Sequence, residues 1–264
     1  MPFTHFKGGK LAPVHRPYHV ALTDHLDAAE TWPPVPAEGW EFAVPPREMS
    51  VLGNDKYGCC APAGAYGLAQ AQSCNADPGD PIVPTTEQVL ALYTAVTGFD
   101  PNDPSTDQGT VLTDLLDYWQ KTGFEVTTRS GKSRLSQIVG WASLDISSFA
   151  LLRWPAYTFG GSYLGIQCPE QCEENTANWN FGPGLPIAGG HCIVQGGEGA
   201  AGGKMRSWGM WIPASKGFMC AYIDEGYIVV TSDFLNSQQI SPTGLNLNSL
   251  IAAMNAAKAN IPPK

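Results

Sequence analysis

Charged residues are scarce in this sequence, because Asp, Glu, Lys and Arg make up only 15% of its 264 residues. The acidic residues outnumber the basic ones, which gives a formal net charge of −9 and a pI near 4.9. No run of lysine and arginine interrupts this acidity. We therefore expect no nucleic-acid partner and no binding to an anionic membrane surface.

Long apolar stretches are lacking as well. No segment of 18 apolar residues occurs, which predicts that no helix spans a membrane. The first ten residues contain no apolar core of the kind that signal peptides carry. We therefore expect no signal peptide and synthesis in a cytoplasm.

The seven cysteines are an odd number, so without a secretion signal we expect reduced thiols, most of them buried. Cys168 and Cys172 form only a weak zinc pattern with His191 and Cys192, because an adjacent His-Cys pair is poorly suited to bind one ion. A local disulfide or two thiols at the rim of the fold is the plainer interpretation. The glycine-rich residues 196–203 indicate a flexible loop rather than a phosphate-binding loop. We predict no metal and no cofactor.

Proline and glycine, 22 and 29 residues respectively, divide the chain into regions of different texture. Residues 1–50 are punctuated by proline and predict an extended arm that lies across the body of the protein. We expect residues 51–264 to form one domain, with a mainly helical lobe at 51–150 and a β-rich lobe at 151–264. Helices followed by strands are typical of an α+β fold with a cleft between two lobes.

The spacing of apolar residues predicts the individual elements. Helices are expected at about 61–72, 85–98, 110–121 and 247–257. Strands are expected at 162–167, 192–195, 205–212 and 226–231. The Asp-rich residues 99–109 resemble a calcium loop, but Pro104 stands where such a loop needs an oxygen ligand, so turns and helix caps are the better interpretation.

Two short segments carry candidate chemistry. Cys60 follows a glycine-bounded turn and opens a helix of small residues, and His191 follows Gly189 and Gly190 at the start of an apolar strand, 131 positions later. A helix amino end and an imidazolium both stabilise a thiolate, so this order suits a cysteine nucleophile with a histidine base. The structural alternative is a pair of buried thiols and a core histidine. The neighbouring Cys59 is not excluded as the reactive thiol.

Asn54 lies six positions before Cys60 in the same turn. Its amide is placed to donate a hydrogen bond to an oxyanion that forms beside the thiolate. Asn54 is therefore the candidate oxyanion residue.

A third segment is Arg206-Ser207-Trp208-Gly209, which is followed by Gly226-Tyr227-Ile228. Together with the Cys60 turn and His191, it resembles the papain-like cysteine peptidases, which carry an Asn before Ser-Trp-Gly and then a Gly-Tyr-Ile strand. The resemblance implies a papain-like fold, Cys60 as nucleophile, His191 as base and Asn54 at the oxyanion. More narrowly, the whole chain resembles uncharacterised papain-like proteins of bacterial and bacteriophage genomes, at residues 9–13, 52–55, 103–109 and 232–235.

One position departs from the family pattern. Arg206 stands where the family carries the Asn that orients the histidine, and a guanidinium has no acceptor for an imidazole N–H. Ser207, or a carboxylate from Asp224 or Glu225, is the expected substitute. Otherwise His191 has no orienting partner, and catalysis is weak or absent.

Two functions follow from these patterns. The first is a cysteine hydrolase that cleaves a peptide or amide bond of a peptide or protein substrate through Cys60, His191, Asn54 and Ser207. The second is a catalytically inactive papain-like protein, such as a bacteriophage virion or assembly component that contacts other subunits through its arm. An amidase or acyl-transferase would use the same residues as the first, because a fold does not fix a substrate.

Overall fold

The computed structural model describes residues 8–25, 34–42, 44–235 and 247–262. The expected start of the arm and its Trp32-Pro33 pair lie outside the described residues. The helices are α1 (Cys60–Ala76), α2 (Thr86–Thr97), α3 (Leu112–Lys121), α4 (Phe149–Thr158), α5 (Gln171–Glu174), α6 (Lys216–Tyr222) and α7 (Asn248–Asn260). The strands are β1 (Trp40–Glu41), β2 (Phe124–Thr127), β3 (Ser133–Ser136), β4 (Ile138–Ser143), β5 (Ser162–Pro169), β6 (Ile187–Gly199), β7 (Gly202–Ser207), β8 (Met210–Ser215) and β9 (Ile223–Thr231).

The predicted α+β class is confirmed. One antiparallel sheet has the order β4-β9-β5-β6-β7-β8, with the short β1 also paired to β6, and β2 and β3 form a separate hairpin. Side chains alternate across this sheet. Tyr163 and Val194 pack in a cluster with α1, α2 and α3, whereas Leu164 and Ile193 pack in a cluster with α6 on the other face.

Helix α1 is longer than the sequence predicts, since it runs to Ala76 instead of about Gln72. Gln72 is buried and bonded to the sheet, so the helix continues past it instead of ending there. The Gln72 amide donates to the backbone oxygens of Phe159 and Val229 at 2.9 and 3.1 Å. This ties α1 to the sheet and fixes the position of its first residue, Cys60.

Helix α2 carries the predicted capping box. Thr85 accepts from the backbone N–H of Gln88, and the Gln88 side chain accepts from the Thr85 N–H, which satisfies two of the free donors at the helix start. Gly98 ends the helix in the left-handed conformation, at φ 79°.

Two expectations for the β-rich half are wrong in detail. The run 205–212 is not one strand, because Trp208 and Gly209 turn the chain with φ of 48° and 73° between β7 and β8. Residues 196–203 are not a flexible loop, since Gly197 pairs with Lys204, and Gly199 with Gly202. Hydrogen bonds between the paired strands order this glycine-rich segment, in which few side chains are available to pack.

The described parts of the arm lie against the rest of the chain, as expected. Trp40 and Glu41 pair with β6, and Lys10 bridges to Thr110 beside α3. None of the helices within the described residues has the length and apolar character needed to cross a membrane.

Candidate active site

The turn before α1 presents Cys60. Leu52 and Gly53 both adopt the left-handed conformation, at φ 57° and 79°, which is costly for leucine and marks strain in this turn. Asp107 fixes the end of the turn by accepting the Gly58 N–H at 3.0 Å. A side chain at Gly58 would come within 2.8 Å of that carboxylate, so glycine is required at this position.

The two adjacent thiols have different surroundings. The Cys59 sulfur points to the backbone oxygen of Leu52, at 3.7 Å, and lies within the core. The Cys60 sulfur instead meets backbone groups of Cys192, Gly9 and Ala61. Because Cys192 directly follows His191, this contact places the start of α1 against the start of the apolar part of β6. Cys60 is the thiol that faces the histidine strand.

His191 is held from two sides. Its Nε2 lies 2.7 Å from the Ser207 hydroxyl oxygen, and its ring stacks on Trp208 with centroids 4.8 Å apart and planes 17° apart. Ser207 and Trp208 come from the tight turn between β7 and β8, which makes room through Gly209. A side chain there would lie 2.6 Å from the backbone of Ser50.

Arg206 does not contact His191 in this arrangement. Its guanidinium donates to the backbone oxygen of Gly67 at 3.0 Å and to the Gln70 side chain, both on α1. Of the three substitutes proposed for the family's asparagine, Ser207 is bonded to the imidazole. Asp224 and Glu225 bind Lys10 instead.

Asn54 lies in the same small cavity as Cys60. The cavity has a volume of about 30 Å³, enough for about one water molecule, and Ser207 and Trp208 also line it. The Asn54 amide donates to the backbone oxygen of Tyr57 at 3.3 Å. The structure thus brings Asn54, Cys60 and Ser207 to one cavity, with His191 bonded to its wall.

A segment of the arm crosses this site. We call Gly8–Leu11 the strap. Its Gly9 oxygen accepts from Thr110 N at 2.7 Å, and Lys10 N donates to the Gly190 oxygen at 3.1 Å, so the strap is bonded both to the segment before α3 and to β6. A side chain at Gly9 would lie 2.0 Å from the Gly58 oxygen. Only glycine fits between the cysteine turn and the histidine strand.

Burial decides whether Cys60 and His191 carry a charge. Burial raises the pKa of the Cys60 thiol to about 11, against the opposing effect of backbone hydrogen bonds at Cys192, Gly9 and Ala61. Burial also lowers the pKa of His191 to about 3. The expected thiolate–imidazolium pair is therefore absent from this state, because desolvation outweighs the helix dipole. Both groups are neutral at pH 7.

Sequence reasoning missed two parts of the site. Asp107 was assigned to turns and caps, yet it holds the cysteine turn and also accepts from the Tyr93 hydroxyl at 2.8 Å. Lys10 carried no signal, because its partners Asp224 and Glu225 lie more than 200 positions away. A capping interpretation does hold for Asp103, whose side chain accepts from Ser105 N.

The predicted state of the cysteines can be compared with the structure. All seven are unbridged, and only Cys220 is exposed. Cys168 and Cys172 are neither bridged nor at the rim, since both have no exposed surface and pack in the cluster under α6. Apolar packing against Trp179 and Phe218 explains this burial. Within the described residues, no His, Cys, Asp or Glu cluster could hold a metal ion.

Comparison with known proteins identifies the fold. No protein-family model and no curated protein sequence matches this chain. Among solved structures, xylellain, a cysteine protease from Xylella fastidiosa, matches with a TM-score of 0.64 at 12% identity, over 85% of this chain and 96% of that chain. Procathepsin L 3 of the Tenebrio molitor larval midgut matches with a TM-score of 0.54 at 11% identity, over 81% and 74%. Procathepsin B S9 from Trypanosoma congolense matches with a TM-score of 0.53 at 12% identity, over 78% and 85%. The chain has a papain-like fold.

The buried thiol predicts a distinctive pH dependence of alkylation. Because the thiolate is the reactive form, Cys60 in the folded chain should react slowly with iodoacetamide at pH 7.5, and its rate should rise with pH up to about 11. Peptide mapping by mass spectrometry measures the rate, with the exposed Cys220 as the fast internal control. A Cys60 rate at pH 7.5 equal to that of Cys220 would contradict the buried state.

Proposed function

We propose that this protein is a cysteine hydrolase that cleaves a peptide or amide bond, with Cys60 as nucleophile and His191 as general base. The observation that carries the proposal is that two neighbouring side chains fix the orientation of the His191 ring. Ser207 bonds its Nε2 at 2.7 Å and Trp208 stacks on its ring, and the backbone of the next residue, Cys192, meets the Cys60 sulfur. A core histidine needs no such orientation, whereas a proton-transfer group does. The papain-like fold supports the same reaction class.

The proposed proton path uses the tautomer of His191 in which Nε2–H donates to the Ser207 hydroxyl oxygen. With the Nε2 proton donated to the serine oxygen, the lone pair of the imidazole lies on Nδ1. Nδ1 takes the proton of the Cys60 thiol, and the thiolate attacks the carbonyl carbon of the scissile bond. His191 then returns the proton to the leaving amine as the bond to nitrogen breaks, which leaves a thioester on Cys60. Water, activated by His191, hydrolyses the thioester and regenerates the thiol.

Asn54 serves the oxyanion in this proposal. Its amide lines the cavity that Cys60 also lines, and the backbone N–H of Cys60 lies at the helix start, where donors are free. Two such donors stabilise the negative charge on the tetrahedral intermediate.

The strap must move before this chemistry begins. While Gly9 lies on Cys60, both groups are desolvated and neutral. Displacing the strap admits water and substrate, which lowers the pKa of the thiol and raises that of the imidazole toward their ordinary values. The helix amino end then favours the thiolate.

A catalytically silent protein is the second candidate, and the strap is the observation that favours it. The chain's own residues fill the cleft and leave no room for a substrate, as expected of a protein without catalytic activity. The described parts of the arm, however, bond to their own body, through Trp40 to β6 and Lys10 to Thr110, and this gives no support to docking on a virion or assembly subunit. An amidase or acyl-transferase would share the proposed residues and differ in the acceptor or substrate.

Substitution of the two neighbouring cysteines tests the nucleophile. Cys60→Ala should abolish hydrolysis of a mixed peptide library, because the attacking atom is gone. Cys59→Ala should retain it, because that sulfur points into the core at Leu52. Mass spectrometry of the library after incubation measures cleavage. Equal activity of Cys60→Ala and the unsubstituted protein would refute the proposal, and inactivity of all three would favour the silent protein.

Ser207 should act as a positioning residue. Ser207→Ala removes the acceptor for Nε2–H and should lower kcat by about 10-fold or more, since general-base catalysis as a whole contributes about 10²–10⁴-fold. Ser207→Asn restores an acceptor oxygen and should recover part of the loss. The pH profile of kcat/KM is the second readout. Loss of the hydrogen bond to His191 should shift the acidic side of this profile, whereas a packing defect should not. An unchanged profile in Ser207→Ala would contradict this role.

A further inference from the structure

The Lys10 side chain leaves the strap and lies between two carboxylates at the start of β9, which we call the acidic pocket. Its Nζ donates to Asp224 Oδ2 and to Glu225 Oε1, both at 3.0 Å, and the side chain has no exposed surface. A further bond returns to the backbone oxygen of Leu11 at 3.3 Å. Two carboxylates on one ammonium form the kind of site that a cation fills and a neutral side chain does not.

The pocket is shaped for a long aliphatic stem. A side chain at Gly165 on β5 would lie 2.7 Å from Lys10 Cδ and 2.5 Å from Glu225 Cγ, so glycine leaves the space that the stem uses. The Tyr227 hydroxyl donates to Glu225 Oε2 at 2.6 Å and fixes that carboxylate. Gln167 donates to Asp224 in the same way.

The strap lies as a bound peptide would lie. Its backbone bonds alternate between the lobes, from Lys10 N to Gly190 on one side and between Thr110 and both Gly9 and Leu11 on the other. Gly9 rests on the thiol, and the next residue fills the acidic pocket. Any peptide on this path places the side chain that follows its thiol-contacting residue beside Asp224 and Glu225.

We propose that the Asp224–Glu225 pocket selects a lysine or arginine side chain of the peptide substrate, and that Lys10 of the strap mimics it. The proposal rests on the proposed hydrolase function and names its substrate class. Asp224 Oδ1 is buried with no hydrogen-bond partner among the described residues, so the pocket holds acceptor capacity that a guanidinium would use. A neutral side chain would leave both carboxylates without a cation, which disfavours its binding.

A protection experiment tests the pocket without requiring turnover. The full chain carries Lys10→Met, which removes the ammonium and keeps the stem. The probes are acetyl-Gly-Gly-Lys-Leu-amide and the same peptide with norleucine in place of lysine. The measurement is the concentration of each peptide that halves the rate of Cys60 alkylation by iodoacetamide at pH 7.5. The lysine peptide should protect at a concentration about 10- to 100-fold lower, as expected for hydrogen bonds to charged groups.

Matched variants locate the effect. Adding Asp224→Asn and Glu225→Gln should bring the ratio of the two concentrations close to one, while adding Glu87→Gln, an exposed acidic residue of α2, should leave it unchanged. If Lys10→Met does not fold, the same competition is run on the unsubstituted chain, where the strap opposes both peptides equally. Equal protection by both peptides, or protection by neither, overturns the proposal. Selective protection without any hydrolysis would instead refute the hydrolase and leave the pocket standing.

Discussion

The ammonium of Lys10, buried between two carboxylates, is the interaction on which the state of this site depends. It anchors a four-residue strap that is also bonded to Thr110 and Gly190. With the strap in place, Cys60 and His191 are buried, and desolvation keeps each of them neutral. Removing one partner of a buried ion pair costs about 3–5 kcal/mol, so a single side chain holds the strap strongly. A peptide that supplies its own cation offsets this cost.

Two strained turns meet at the cavity beside Cys60. Leu52 and Trp208 are the non-glycine residues with positive φ within the described residues, and both line the cavity beside Cys60. Such strain persists only where surrounding contacts fix the backbone. Here Asp107 fixes the cysteine turn through Gly58, and the β7–β8 ladder fixes the turn that carries Trp208. The chain therefore spends stability to hold these two turns beside the cavity that Cys60 lines.

Local patterns in the sequence were sufficient to predict the helix behind Cys60, the strand behind His191 and the α+β class, because each depends on neighbouring residues. To predict which way the side chain at position 206 faces, the alternation of side chains along a strand is needed as well. Side chains alternate along β7, so Arg206 faces α1 and Ser207 faces His191. The family pattern aligns Arg206 with the asparagine that orients the histidine, whereas in the structure the next residue, Ser207, bonds the imidazole.

Other parts of the site were beyond sequence reasoning. The strap and its pocket join residues near the start of the chain to β9, and no local signal marks such a long-range pair. The glycines at positions 9 and 165 are informative only once their neighbours are known, since each is needed to avoid a specific close contact. Cys168 and Cys172 were misjudged for the same reason, because burial under α6 depends on tertiary packing.

The central claim is that the strap, through Lys10, keeps the Cys60–His191 pair buried and neutral. The most direct test is the iodoacetamide reactivity of Cys60 at pH 7.5 in Lys10→Ala, compared with the unsubstituted chain and with Lys132→Ala, whose side chain is largely exposed. We expect an increase of about 10-fold or more in Lys10→Ala alone, with Cys220 unchanged and the far-ultraviolet circular dichroism preserved. An unchanged Cys60 rate in a folded Lys10→Ala protein would contradict it.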